Sequence, residues 1–315
     1  DKVLAKIIVN EAQPGVQLEP ANKVTLKELK WFPNVLNKNT YLIRNFADFA
    51  DGSLETAANS VTADRKDIYA TDPNFNVGAS VNDFLFEGDM LYNPSKTKWN
   101  AVANPPGTET VRQYVSENTM ELNAQKHNDW LNYTSHVVIE AVLIYDEFLT
   151  DPTDPTDPGR SYYSYNAGTL GSPDMKVFSH EQVRFWMIRE FPAEMVGLQA
   201  KIQANISGAP TNGFNFSSNT QPTETKVLTY HGITFHPNGL NIYKLPIKHF
   251  KSNSLNPKDD TYGYYGVVRN NEYTINIKSI TGPGSGVEWD NRFISADITV
   301  TPWYLRDFQE EVLEY

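Results

Sequence analysis

Ser135-His-Val-Val-Ile-Glu-Ala-Val-Leu-Ile-Tyr-Asp-Glu-Phe148 is the clearest core segment of the chain. Val137, Val138, Ile139, Ala141, Val142, Leu143 and Ile144 form a nearly continuous apolar run, the pattern of a strand buried on both faces. A second stretch gives a different signal. Ile294, Ala296, Ile298 and Val300 alternate with Ser295, Asp297, Thr299 and Thr301, a period of two that predicts a strand with one wet face. These two readings set the fold class as mainly β.

Working outward, other strands follow. Val3 to Val9 places Val3, Ala5, Ile7 and Val9 on one face and Lys6 on the other, before a turn at Pro14-Gly15. Val24 to Phe32 is extended and should stop at Pro33-Asn34, with Thr40 to Asn45 next. Later strands are expected at Lys226 to His236, Asn241 to Phe250, Gly266 to Ile280 and Arg292 to Trp303. Tyr273 to Ile280 and Ile294 to Val300 are sequential and joined by a Gly/Pro-rich connection, so they are expected to pair as antiparallel neighbours. One principal helical segment is expected within residues 179–206. Ser179 and Gln182 form a capping-box pattern, Pro192 divides the segment, Ala193 to Ala204 holds strong helix formers, and Gly208-Ala209-Pro210 ends it. Residues 46–110 and 150–180 read as long loops, the first with a short strand at Asp83 to Phe86. The repeat Asp151-Pro-Thr-Asp154-Pro-Thr-Asp157-Pro-Gly159 reads as an extended loop.

Composition agrees with a β-rich domain that faces the outside. Seventeen Tyr, 16 Phe and 6 Trp accompany many turn-forming Asn, Gly and Pro. The 315 residues fit one large β-domain or two modest ones, and 40% hydrophobic content supports a substantial core. No linker and no fixed-period repeat divides the chain. No apolar run reaches the roughly 18 to 20 residues of a membrane span. The start at Asp1-Lys2-Val3-Leu4 does not read as an intact secretory signal. A net charge of -11 repels phosphate backbones and argues against nucleic acid as a partner. With no cysteine, disulfides, thiolate metal sites and cysteine nucleophiles are all excluded.

Searches for chemistry return little. The zinc helix HExxH, the nucleophile elbow GxSxG and the phosphate loop GxxxxGK do not occur. Gly282-Pro-Gly284-Ser-Gly286 leads from one strand to another and not to a helix, so it reads as a bulged connection. His231 and His236, five apart on an expected strand, point to opposite faces and make a poor metal pair. Asp151, Asp154 and Asp157 would share one edge of a polyproline II turn, where a weak cation site competes with a solvated loop; the calcium-loop spacing is not present. Asp146 with Glu147 and Glu310 with Glu311 are adjacent acids whose side chains diverge on a strand, which disfavours an acid/base pair. Tyr162-Tyr163-Ser-Tyr165 and Tyr262-Gly-Tyr264-Tyr265 allow a carbohydrate or protein contact, or packing of strand aromatics. No catalytic, cofactor-binding or metal-binding residue is assigned, and no cofactor is expected.

The segment Tyr264-Tyr-Gly-Val-Val-Arg-Asn-Asn-Glu-Tyr-Thr-Ile-Asn-Ile-Lys-Ser-Ile280, followed by a Gly/Pro loop and Phe293-Ile-Ser-Ala-Asp-Ile-Thr-Val-Thr-Pro-Trp303, resembles the C-terminal end of Bacteroidales fimbrillins, especially the short-fimbria (Mfa) type. Val267-Val-Arg-Asn-Asn-x-Tyr273 with Ile277-Lys-Ser-Ile280 carries the likeness most specifically. Asp1 to Val9, Val24 to Trp31, Glu117-Asn-Thr119 and Val137 to Ala141 follow in the expected order with looser similarity.

The resemblance implies a transthyretin-like β-sandwich with long loops and one helical segment. Residues 1–315 would form a fimbrillin C-terminal domain with loop insertions at 46–110 and 150–180, without the family's N-terminal domain. It further implies a cell-surface, non-enzymatic fimbrial subunit, exported through the periplasm as a lipoprotein precursor. Its partners would be other subunits in a head-to-tail polymer built by strand addition. Two other classes compete. An adhesive tip or surface module for a host protein or glycan is motivated by the Tyr runs, and a glycan array discriminates it. A β-sandwich hydrolase would need two carboxylates roughly 5 to 9.5 Å apart across a cleft. Beyond the matched motif, Trp303 is expected to cap the core, and Tyr304 to Tyr315, with Phe308 and Val312 at even positions, is expected to pair with a sheet.

Overall fold

The computed structural model describes residues 4–13, 15–19, 21–43, 72–74, 84–85, 100–102, 111–119, 133–166, 174–183, 227–230, 233–249, 265–284 and 293–302. These residues are mainly β. The first sheet runs β17 (Ile294–Pro302), β16 (Asn271–Ile280), β1 (Leu4–Glu11) and β7 (Arg112–Ser116); β2 (Gln17–Leu18) pairs with the far end of β16. The second runs β14 (Leu240–Pro246), β9 (His136–Tyr145), β3 (Val24–Asn34) and β6 (Asn100–Ala101). A third joins β11 (Met175–Phe178), β10 (Tyr162–Asn166), β13 (Ile233–His236) and β12 (Leu228–Tyr230). Two short ladders pair β15 (Gly266–Val267) with β8 (Asn118–Thr119), and β4 (Leu36–Asn37) with β5 (Phe84–Leu85).

The first two sheets face each other across one core. Ala5, Ile7 and Val9 of β1 and Tyr273, Ile275 and Ile277 of β16 meet Trp31 of β3 and Val137, Ile139, Ala141 and Leu143 of β9. Each set takes alternate positions on its strand, which is why the period of two was readable. β9 is central, between β14 and β3, and its other face is buried too: Val138 packs with Phe32 and Ile242. The nearly continuous apolar run at 137–144, interrupted only by Glu140, follows from that position. The edge strand β17 keeps its alternation, with Ser295, Asp297 and Thr299 exposed.

The expected antiparallel pairing of β16 with β17 is present, from Asn271 opposite Pro302 to Ile280 opposite Ile294, with a bulge between Ile277 and Ser279. β1, however, lies parallel to β16, with Ile7 opposite Tyr273 and Val9 opposite Ile275. Two strands far apart in sequence, β1 and β16, are therefore direct neighbours. Lys6 is buried rather than solvated, because its face of the sheet is covered as well.

Several boundaries differ from expectation. β3 continues through Pro33 and Asn34; the two-residue pairing with β6 ends at Trp31, so Pro33 sits where β3 is an edge among the described residues. Residues 40–43 are not a strand. The run 226–236 is a hairpin, β12 with β13, not a single strand. Likewise 266–280 breaks between β15 and β16, where Asn270 takes a left-handed conformation (φ 63°). Within 150–180, read as loop, β10 and β11 pair from Tyr163 opposite Phe178 to Asn166 opposite Met175. The capping box forms: the Ser179 amide donates to Gln182 Oε1 (3.0 Å), the Gln182 amide donates to Ser179 Oγ (3.2 Å), and residues 180–183 begin a helix. Pro192, Ala193 to Ala204 and Gly208 to Pro210 lie outside the described residues, as do Trp303 and the tail to Tyr315.

The connection after β16 closes one end of the sandwich. Tyr243 Oη donates to the Gly282 carbonyl (2.7 Å), the Gly284 amide donates to Asn241 Oδ1 (3.0 Å), and the Ile242 amide donates to the Gly284 carbonyl (3.1 Å). A Cβ on Gly284 would lie 2.5 Å from the Tyr243 ring and 2.6 Å from the Ile242 carbonyl oxygen. Gly284→Ala is therefore expected to destabilise by about 1–3 kcal/mol, as overpacking does, read as a lowered urea midpoint at unchanged slope.

Candidate functional site

The motif Val267-Val-Arg-Asn-Asn-x-Tyr273 is a turn in which nearly every side chain has a partner. Asn270 supplies the left-handed residue, which Asn tolerates better than most. Asn271 Nδ2 donates to the carbonyls of Val268 (3.2 Å) and Arg269 (2.9 Å). The Val268 amide donates to Tyr273 Oη (2.7 Å), which also meets His249 Nδ1 (2.8 Å). Arg269 is fully buried. Its Nε donates to Glu117 Oε2 (2.8 Å), its backbone amide to Glu117 Oε1 (3.3 Å), and its terminal nitrogens to Thr40 Oγ1 (3.2 Å) and the Leu42 carbonyl (3.4 Å).

This turn stands at the end of the first sheet where β1 begins and β17 finishes. Leu4 faces Ser116, Asn271 faces Pro302, and Glu272 lies between Lys6 and Thr301. Lys6 and Glu272 form a second ion pair, also buried. Among the described residues, the outer sides of β17 and β7 have no ladder partner, so the sheet has two open edges. Beside β7, Leu4, Val111 and Tyr114 are exposed, and Leu42 and Ile43 are about four-fifths exposed (79% and 80%) next to the Arg269 contact.

A buried polar knot adjoins the same end. Asp72 accepts from the Asn74 amide and from the Thr119 amide and hydroxyl. Asn37 accepts from Asn74 and Asn118 and donates to the Glu117 carbonyl. Burial pushes the Asp72 carboxyl up to about 7, against the lowering effect of those hydrogen bonds.

The residues weighed for chemistry have other uses. Asp151 accepts from the Thr153 amide and hydroxyl, and Asp154 from the Thr156 amide and hydroxyl. Asp157 gathers the Thr150 amide and hydroxyl, the Asp151 amide and the Gly159 amide. The loop is thus a chain of tight turns and not an extended edge, and its carboxylates are turned to their own backbone. These bonds hold all three acids below the usual carboxylate range. Asp146 approaches Thr25 Oγ1 and Glu147 pairs with Lys23. Tyr162, Tyr163 and Tyr265 are buried and Tyr165 is half-buried; Tyr262 and Tyr264 lie outside the described residues. His231, Glu310 and Glu311 also lie outside them.

His236 is held at 2.8 Å from Ser164 Oγ through Nε2, with Nδ1 at 2.9 Å from the Leu240 carbonyl. That is the spacing of a serine and its base, which the sequence reading missed because the two are 72 residues apart. Both are buried, and Tyr162 stacks on the imidazole at 4.6 Å between ring centroids. Burial lowers the His236 pKa to about 3. The pair as placed is a core hydrogen bond. No cluster of three metal-ligating side chains occurs among the described residues.

Residues 234–309 match the family described as major fimbrial subunit protein type IV, fimbrillin, C-terminal. The matched stretch takes in β14 to β17 and the motif turn, and the likeness read from Tyr264 to Trp303 lies inside it. Among solved structures the chain is similar to a fimbrilin (FimA) from Porphyromonas gingivalis W83, at 15% identity and a TM-score of 0.36, covering 96% of this chain and 58% of that one. This chain thus spans less than two thirds of that protein's length. No curated protein matches. The strands β14 to β17 of this mainly β structure thus lie in a region similar to the C-terminal part of fimbrillins.

Proposed function

We propose that this chain is a structural, non-enzymatic subunit of a bacterial surface fimbria, joined head to tail with other subunits by strand addition. The fimbrillin C-terminal match over residues 234–309 carries the reading. The open edges of β17 and β7 are consistent with it. A sheet edge exposes unpaired backbone donors and acceptors, and an incoming strand satisfies them. Contacts between unlike surfaces do not close on themselves and so build a filament. In this reading the 315 residues form one C-terminal-type domain; a single core cluster joining Ala5 to Ile294 supports that. Export as a lipoprotein precursor through the periplasm belongs to the same proposal. No helix among the described residues is long and apolar enough to cross a membrane. The buried Tyr162, Tyr163 and Tyr265 offer no surface for the glycan-binding alternative.

The tail after Pro302 decides the assembly mode. Where the tail is donated to a neighbour, deleting Phe308 to Tyr315 is expected to leave a folded monomer that cannot polymerise; where it is the last strand of the chain's own sheet, the same deletion is expected to lower the melting temperature. Retained polymer with a lowered melting temperature would make the tail an internal strand, and no change in either measure would remove it from assembly and from the core.

A further inference from the structure

The turn between β9 and β10 holds three Asp–Pro peptide bonds, Asp151–Pro152, Asp154–Pro155 and Asp157–Pro158, and Asp72–Pro73 is a fourth in the chain. Such a bond carries its own nucleophile. An oxygen of the Asp carboxylate adds to the Asp carbonyl carbon and closes a small ring, and proline leaves as a secondary amine, more basic than other leaving nitrogens. Joining nucleophile and target in one residue removes the entropy cost of bringing them together.

The four bonds differ in what holds their carboxylates. Asp157 is buried, and its oxygens accept from the amides of Thr150, Asp151 and Gly159 and from the Thr150 hydroxyl. Asp72 is buried too, with both oxygens engaged by Asn74 and Thr119. Asp151 and Asp154 use Oδ1 alone, which accepts from the amide and hydroxyl of the Thr two residues on; among the described residues their Oδ2 accepts no hydrogen bond.

The carbonyls then separate these two. That of Asp151 accepts one bond, from the Asp154 amide (3.2 Å). That of Asp154 accepts two, from the Asp157 amide (3.2 Å) and from Arg160 Nε (2.9 Å). The guanidinium also reaches the Pro152 carbonyl (3.4 Å), which fixes it over the turn. Two N–H donors on one carbonyl oxygen stabilise the negative charge that grows there as a nucleophile adds to the carbon.

We infer that Asp154–Pro155 is a self-cleaving peptide bond, with the Asp154 carboxylate as nucleophile and Arg160 Nε and the Asp157 amide as the donors to the oxyanion. A bond from Asp154 Oδ2 to the Asp154 carbonyl carbon forms, and the bond from that carbon to the Pro155 nitrogen breaks. The nitrogen takes a proton from solvent and leaves, and Asp154 remains as a cyclic anhydride. Water adds to the anhydride and opens it to two carboxyls, so one water is consumed and nothing is oxidised or reduced. The chain acts once on itself, without turnover, and the inference does not rest on the fibre reading. The Thr156 amide and hydroxyl hold the Asp154 carboxyl below the usual range, helped by Arg160 and opposed by Asp157. The nucleophile therefore stays ionised in mild acid, which supplies the proton for the leaving nitrogen. Pro155 is exposed, so solvent reaches the bond. The two pieces stay together after the cut, because β1 pairs with β16 and β9 with β14 across it.

The test follows the purified full chain at pH 5 by mass spectrometry under denaturing conditions, with a new amino-terminal Pro155 as the signature. Asp151–Pro152 is the internal reference, since it has the same Asp-Pro-Thr turn without the guanidinium. In the folded chain, cutting at Asp154–Pro155 is expected to run roughly tenfold or more ahead of cutting at Asp151–Pro152. In urea, where the turn is lost, the two bonds should be cut at similar rates. Arg160→Met should bring Asp154–Pro155 down to the reference rate, and Asp154→Ala should abolish the cut there. Equal rates at the two bonds in the folded chain, no cut at Asp154–Pro155, or an unchanged rate in either variant would overturn the inference. Were Arg160→Met to loosen the whole turn, the reference rate would move with it; the folded-to-urea comparison on the parent chain and Asp154→Ala, which keeps Arg160, still decide.

Discussion

Arg269→Met is expected to lower folding stability by about 3–5 kcal/mol, because it leaves Glu117 as a buried charge without its partner. Both side chains are wholly out of solvent, so water cannot substitute for the lost guanidinium. The damage also spreads. Arg269 holds Thr40 and the Leu42 carbonyl, and Glu117 is held in turn by its neighbours, since Asn37 donates to its carbonyl. Chemical denaturation of Arg269→Met and of Glu117→Gln should each show a large drop in midpoint, and the double variant should lose less than the sum, as coupled partners do. Arg269→Lys should recover only part of the loss, because an ammonium cannot reproduce the planar fork. A loss of under 1 kcal/mol for Arg269→Met would mean that water reaches Glu117 in solution.

The sequence made legible whatever is periodic. β9 was readable because both of its faces are buried, and β17 because only one is. Their pairing neighbours followed where the partner was next in the chain, as for β16 with β17. What stayed hidden were long-range choices. Nothing in Leu4 to Glu11 shows that it lies parallel to a strand some 266 residues away, as the Asn10–Asn276 contact demonstrates. Lys6 read only as a charge on the opposite face of its strand, because its partner, Glu272, is recognised only once those strands are adjacent. The β10–β11 hairpin was missed because a Pro-rich stretch precedes it and the partner strand β13 comes much later. The motif turn was the opposite case. Its residue string was recognisable, but the reason for each residue emerged only from the contacts of Arg269, Asn270 and Asn271.

The second large effect concerns acid. His136 and His236 are both buried, and burial lowers each pKa to about 3; the nearby Lys244 lowers His136 further, while carbonyl contacts to Thr134 and Leu240 oppose the shifts. In the unfolded chain a histidine titrates near 6.5. Between these values the unfolded chain binds a proton that the folded chain refuses, so stability rises with pH across the window. Stability contributed by the neutral imidazoles is therefore full above about pH 6.5 and is lost as pH falls toward 3. Each histidine should account for something on the order of 3 kcal/mol of that loss. Asp72 works in the other sense. Its carboxyl is held up at about 7 against an ordinary value near 3.8, so its share grows on acidification and is lost as pH rises toward 7. Two histidines outweigh one aspartate, and net destabilisation is expected from pH 6 down to pH 4. His236→Gln isolates one contributor. The amide is able to accept from Ser164 Oγ and donate to the Leu240 carbonyl, but it does not titrate. Urea midpoints at pH 7, 6, 5 and 4 should fall less steeply for this variant than for the parent chain. Parallel slopes would show that His236 takes up its proton without unfolding the sheet around it.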